Sequence, residues 1–194
     1  VSITTGIEIS LSDLLLPEEY AKVRNAQNIA VIEIEKKRRV STRTFSFLFE
    51  SRETVLNQVQ EMMYLENVTS RVDIEDLLKT YSDLLPTGRS LSVSMFIEFE
   101  SERQMVRLMK ELTGVENEVY LVFDSGEVKA EPEKGRSTET LESTLQYLRF
   151  NFSDQKLASF KKCSRCTLEV RRKDYEEIGK LSDQLLSDLK DELH

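Results

Sequence analysis

Apolar positions along this chain follow two rhythms, and the switches between them mark out the elements. From Leu91 to Phe99 the pattern is strict alternation. Leu91, Val93, Met95, Ile97 and Phe99 share one face, and Ser92, Ser94 and Glu98 lie opposite with Phe96 among them, which predicts a half-buried strand. "RTFSFLFE" repeats that rhythm through Phe45, Phe47 and Phe49. Between these stretches the period lengthens. At about 100° per residue, Val55, Leu56, Val59, Met62 and Met63 form one apolar arc, so "SRETVLNQVQEMMYLE" reads as a helix opened by Ser51.

The remaining segments extend this reading. Ser12 or Asp13 caps a short turn, Pro17 suits a first helical position, and Tyr20, Val23, Ala30, Val31 and Ile34 fall near one face. A long helix is predicted over 17–39, although "VIEIE" inside it alternates like a strand. "VDIEDLLKTYSDLLP" is a helix stopped at Pro86. Ser101 caps "ERQMVRLMKELTG", which ends at Gly114. "VENEVYLVF" and "EVKAE" form a hairpin about the "DSG" turn. "PEKGRSTET" reads as a mobile loop. "TLQYLRFNF" is a strand, Ser153 caps "DQKLASFKK", and "CTLEVRR" is a strand. "DYEEIGKLSDQLLSDLKDEL" is read as one amphipathic helix built on Tyr175, Ile178, Leu181, Leu185 and Leu189.

Two segments echo one another as strand, capped helix, strand. From about 90 to 171 they spell β-α-β-β-α-β, the order of the ferredoxin-like split β-α-β motif. The expected fold class is therefore α+β. It has an N-terminal helical part with one strand (about 11–88), then a ferredoxin-like antiparallel core with a C-terminal amphipathic helix (about 89–194). All of it forms one domain over 1–194.

Composition narrows the function classes. The chain carries 27 Lys and Arg against 35 Asp and Glu, a net charge of −8, and such a balance argues against nucleic-acid or anionic-membrane binding. No apolar run approaches the about 20 residues of a membrane span. "VSITTGIEIS" lacks a signal peptide's basic end and apolar core, so a cytoplasmic protein is expected. The single histidine, His194, leaves no Ser-His-Asp or Cys-His constellation. There is no glycine-rich phosphate loop and no Glu-x-x-His pair for a di-iron site. No cofactor is expected. Cys163 and Cys166 form a lone Cys-x-x-Cys, a weak metal or redox candidate. The pair closes a helix instead of opening one, and zinc needs two further ligands.

The helix opened by Ser51 holds the main candidate site. Arg52 and Glu66 fall within its apolar arc, and Gln58 and Glu61 lie on a flank. A charge on such an arc needs a partner. Just upstream lies "EKKRRV", so Arg38, Arg39 or Arg52 is expected to pair with Glu50, Glu61 or Glu66. Two readings of Arg38, Arg39, Glu50, Arg52, Gln58, Glu61 and Glu66 stand side by side. One is a structural ion-pair network. The other is a carboxylate- and amide-lined pocket for an anion, a hard cation or a partner, as in a small-ligand or metal sensor or an enzyme.

These residues also carry a resemblance. "KRRV" (Lys37–Val40), the segment with Phe49, Glu50, Arg52, Thr54, Val55, Gln58, Glu61, Met62 and Glu66, "LLLPEEY" and "LLPTG" are similar to domain of unknown function family 3501, a bacterial and archaeal family without established activity. The resemblance runs from about Leu11 onward. Together with the missing catalytic constellations, it implies a non-catalytic binding or accessory protein whose partner is an iron–sulfur or rubrerythrin-like redox protein, the neighbours its members' genes often have. A homodimer is the other expected association. Many members carry Asp-His-Pro ahead of a Tyr near the last strand; here Arg171, Arg172 and Lys173 precede Tyr175.

Overall fold

The computed structural model describes residues 8–133, 144–173 and 175–194. Helix α1 spans Pro17–Arg38, with Glu18 and Glu19 in its first turn and Lys36, Lys37 and Arg38 in its last. That distribution complements the helix dipole. "VIEIE" is helical because Val31 and Ile34 turn toward the same side as Tyr20 and Arg38, while Ile32 faces solvent.

Strands β1 (Arg39–Ser41) and β2 (Phe45–Phe49) follow. Helix α2 (Arg52–Leu65) opens on Ser51, whose side chain accepts from the Thr54 amide while the Ser51 amide donates to Thr54 Oγ1. Thr54 thus fills the reciprocal place of a capping box. Helix α3 is Arg71–Ser82, β3 is Ser90–Ile97 and α4 is Glu102–Glu111. Gly114 supplies the left-handed φ of 79° that ends the α4 region. Strands β4 (Val119–Phe123) and β5 (Gly126–Lys129) form the expected hairpin, followed by β6 (Glu131–Pro132) and β7 (Leu145–Asn151). Of the expected mobile loop "PEKGRSTET", the stretch from 134 to 140 lies outside the described residues. Helix α5 (Asp154–Lys162) is capped by Ser153, and β8 is Cys166–Arg172.

The chain is α+β, but the ferredoxin-like sheet does not form. The strands make two antiparallel sheets, ordered β1-β2-β3-β7-β6 and β5-β4-β8 plus β9 (Tyr175–Lys180). Over 90–171 the elements follow the expected order with the two-residue β6 added, and β1 joins β2 in the N-terminal part where one strand was expected, but the strand pairing differs. The phenylalanine strand β2 occupies one edge of β3, from Phe45↔Ile97 to Phe49↔Val93, and β7 takes the other. With both edges filled, β4 and β8 pair with each other instead. The apolar faces of the two sheets then share one core. Phe47, Met95 and Leu148 from the first are clustered with Leu121, Leu168 and Val170 from the second.

The expected C-terminal helix is also corrected. Its first third is strand β9, and helix α6 begins at Asp183 and ends at Glu192, capped by Ser182. In β9 the inward positions are Tyr175, Glu177 and Gly179, whereas Ile178 points out to solvent. Gly179 permits close packing of the two sheets at this edge: a Cβ there would stand 2.6 Å from Val40 Cγ1. The leucine positions hold, with Leu181, Leu185 and Leu189 all in the main core.

Ser92 and Ser94, expected on an outward face, are buried. The N-terminal helices cover that face: Val55 of α2 clusters with Leu84, Leu85 and Tyr147. No helix among the described residues is long and apolar enough to cross a membrane.

Candidate functional site

The seven candidate residues are divided among separate networks. Arg38, at the end of α1, is buried. Its Nε donates to the Phe49 carbonyl at 2.7 Å, and its terminal nitrogens donate to the Glu50 carbonyl at 3.1 Å and to both Glu192 carboxylate oxygens at 2.7 and 3.1 Å. Arg39 donates to Ser46 Oγ at 2.7 Å, lies 3.5 Å from Glu35 and stacks over Phe96. Arg52 ties down the N-terminal segment through the Glu8 carbonyl (3.0 Å) and Asp13 (2.7 Å). The expected ion pairs from Arg38, Arg39 or Arg52 to Glu50, Glu61 or Glu66 are therefore not the ones formed. Glu66 is the C-cap of α2 and is exposed, outside the buried arc.

Glu61 is held by α1. Arg24 clamps it through Nε and a terminal nitrogen at 2.7–3.2 Å, Tyr20 OH donates at 2.7 Å, and Asn28 Nδ2 donates at 3.1 Å. The Arg24 guanidinium also covers the Tyr64 ring at 4.7 Å. The fork holds the Glu61 carboxyl down to about 2, with Tyr20 and Asn28 assisting against partial burial. The chain does carry a signal for these partners: Tyr20, Arg24 and Asn28 recur every fourth residue and so share a helix face.

Glu61→Gln is expected to cost about 1.5–3 kcal/mol at neutral pH, read from urea denaturation. Because the folded pKa is lowered, this stabilisation is present above the ordinary value of 4.5 and disappears as pH falls toward about 2. The stabilities of the wild type and Glu61→Gln should therefore converge in acid. A constant separation at all pH values would refute the clamp.

Glu50 differs from Glu61 in having no cation on its carboxylate. It is 1% exposed and sits where β2 hands over to α2. Thr54 Oγ1 and Ser94 Oγ donate to its two oxygens, and Gln58 Nε2 donates at 3.1 Å. Burial pushes its carboxyl up from the ordinary range, against the pull of these three donors. Ser94 explains why a serine face of β3 is buried: it serves this carboxyl.

Cys163 and Cys166 are both buried, and burial pushes both thiols up, which makes them poor nucleophiles at neutral pH. Among the described residues, no group of three or more His, Cys, Asp or Glu is placed to hold a metal ion.

A second carboxylate centre escapes the sequence reading because its strand carries helical spacing. Glu177 of β9 accepts from Thr42 Oγ1 (2.5 Å), the Thr44 amide (2.9 Å), Thr44 Oγ1 (2.7 Å) and Tyr175 OH, with Arg43 at 3.4 Å. Burial alone would raise its pKa, but these donors outweigh it and hold the carboxyl below its ordinary value. Beside this centre opens a cleft of about 690 Å³. Arg43 and Thr44 come from the β1–β2 turn, Glu98 and Glu100 follow β3, Gln104, Arg107, Leu108 and Glu111 come from α4, and Arg172, Lys173 and Tyr175 come from the end of β8, the turn after it and the start of β9.

The cleft's charges are only partly matched within the chain. Arg172 donates to the Glu111 carbonyl at 3.1 Å, and Arg107 lies 3.9 Å from Glu111. The side chains of Glu98, Glu100 and Lys173 have no hydrogen-bond or ion-pair partner among the described residues. The neighbouring Arg171 points elsewhere, to Glu127 and Glu169 on the outer face of the second sheet. The basic run before Tyr175 is thus split between two surfaces, which its sequence does not reveal.

Comparison with known proteins agrees with this architecture. A family model described as "Protein of unknown function (DUF3501)" matches residues 8–193. A crystal structure of a novel protein of unknown function from Burkholderia pseudomallei K96243 is similar over 96% of this chain and 99% of that one, at 28% identity and a TM-score of 0.87. No curated protein matches the chain.

Proposed function

The chain belongs to the DUF3501 family, and on that premise we propose that it is a non-catalytic binding or accessory protein whose partner docks in the cleft beside Tyr175. The observation that carries this reading is the contrast between the two polar regions. The buried and half-buried groups around α2 find their partners inside the chain, with the exposed Glu66 apart, whereas Glu98, Glu100 and Lys173 present unmatched charge on a concave surface. Such a surface suits a protein segment that carries both acidic and basic side chains.

We infer the class of partner, an iron–sulfur or rubrerythrin-like protein, from the genes that often neighbour those of family members. In that reading the redox chemistry belongs to the partner, since the cysteines of this chain are buried. The alternative, a ligand or metal site within the Arg38, Glu50 and Glu61 region, would require those groups to give up their internal partners.

Affinity capture from the native cell tests the proposal. Arg172→Glu with Lys173→Glu should lose the captured partner, while Lys161→Glu with Lys162→Glu, outside the cleft, should keep it. All four residues are exposed, so both variants should stay folded, with at most about 1 kcal/mol lost per site at the end of α5 and at the Arg172–Glu111 contact. Equal capture by both double variants would overturn the cleft, and a captured partner of unrelated class would overturn the redox assignment.

A further inference from the structure

We propose that the outer face of α1 is a self-complementary surface that pairs two copies of this chain antiparallel. One side of α1 packs on α2 through Tyr20, Arg24 and Asn28. The opposite side is exposed and includes Ile29 (65%), with Ile32 (48%) exposed on its flank. At about 100° per residue, Glu18, Lys22, Ala26, Ile29, Glu33 and Lys36 fall on a single outward stripe.

Charge along α1 selects the occupant. Acids gather in the first turn and bases in the last. A two-fold axis beside residues 27 and 28 sets Glu18 against the second copy's Lys36, Glu19 against Lys37, and Lys22 against Glu33. The same register sets Ala26 beside Ile29 at the centre of the stripe. Every contact occurs twice, as an isologous interface requires. A parallel pairing would place like charges together, and an axis at Ile29 would set Lys22 against Lys36. The exposed Glu33–Lys36 pair within each chain, at 2.6 Å, joins the cross-chain network at little cost because exposed pairs are weak.

The surface shares no residue with the cleft lining, so this proposal and the functional reading can fail independently. Sedimentation equilibrium on the full chain tests it. The wild type should dimerise with rising concentration and more weakly at high salt. Ile29→Glu should weaken association by about tenfold or more, with an unchanged melting temperature at concentrations where both proteins are monomeric. Lys22→Glu should also weaken it, and adding Glu33→Lys should restore it, because the swap re-forms the cross-chain pairs. A wild type that stays monomeric, a dimer indifferent to Ile29→Glu, or a swap that fails to restore association would each overturn the proposal.

Discussion

Arg38→Ala is expected to destabilise the protein by about 3–5 kcal/mol, the usual cost of removing one partner from a buried ion pair. Arg38 joins three elements at once. It donates to the Phe49 and Glu50 carbonyls at the end of β2 and forks onto Glu192 at the end of α6. Removing it strands two carbonyls and a carboxylate in a poorly solvated corner. Arg38→Lys should not rescue it, because a single ammonium cannot reproduce the planar fork. Urea denaturation measures the loss, and hydrogen exchange should show α6 opening more readily. A change below about 1 kcal/mol, ordinary for a surface substitution, would refute the role.

Glu50 yields the second large effect, and here two substitutions diverge. Glu50→Ala leaves the Ser94, Thr54 and Gln58 donors facing a cavity, and about 3 kcal/mol of stability should be lost. Glu50→Gln keeps the shape and removes the ionisable group. Because burial raises the folded pKa above the ordinary 4.5, the carboxyl's stabilising contribution is complete below that value and lost as pH rises through the folded pKa. The Gln variant should therefore gain on the wild type with rising pH. Urea denaturation of both proteins, repeated from about pH 4 to about pH 8, spans the range in which a raised carboxyl titrates. A wild type that gains on Glu50→Gln as pH rises would show that Glu50 is held ionised.

Much of the candidate region is legible in the chain. The Ser51 cap, the apolar arc of α2 and the need of buried charges for partners all follow from spacing within a few turns. The partners do not follow. Proximity in sequence offers Arg38 to Glu50, Glu61 or Glu66, yet its carboxylate is Glu192, 154 positions away. Glu61 takes Arg24 because α1 packs along α2. Glu66 needs no internal partner because it ends the helix in solvent.

Local chemistry alone specifies α1, the phenylalanine strand β2, the alternating strand β3 and the capped helices α2, α4 and α5. Period and capping act within a few residues, so no distant group has to be known. The division into two sheets, the strand character of β9 and the cleft beside Tyr175 arise only from long-range packing, because each depends on groups far apart in the chain. Glu177 finds Thr44 across 133 positions, and Gly179 is read correctly only once Val40 lies against it. Local periodicity in "YEEIGK" cannot weigh those contacts, and the packed core does.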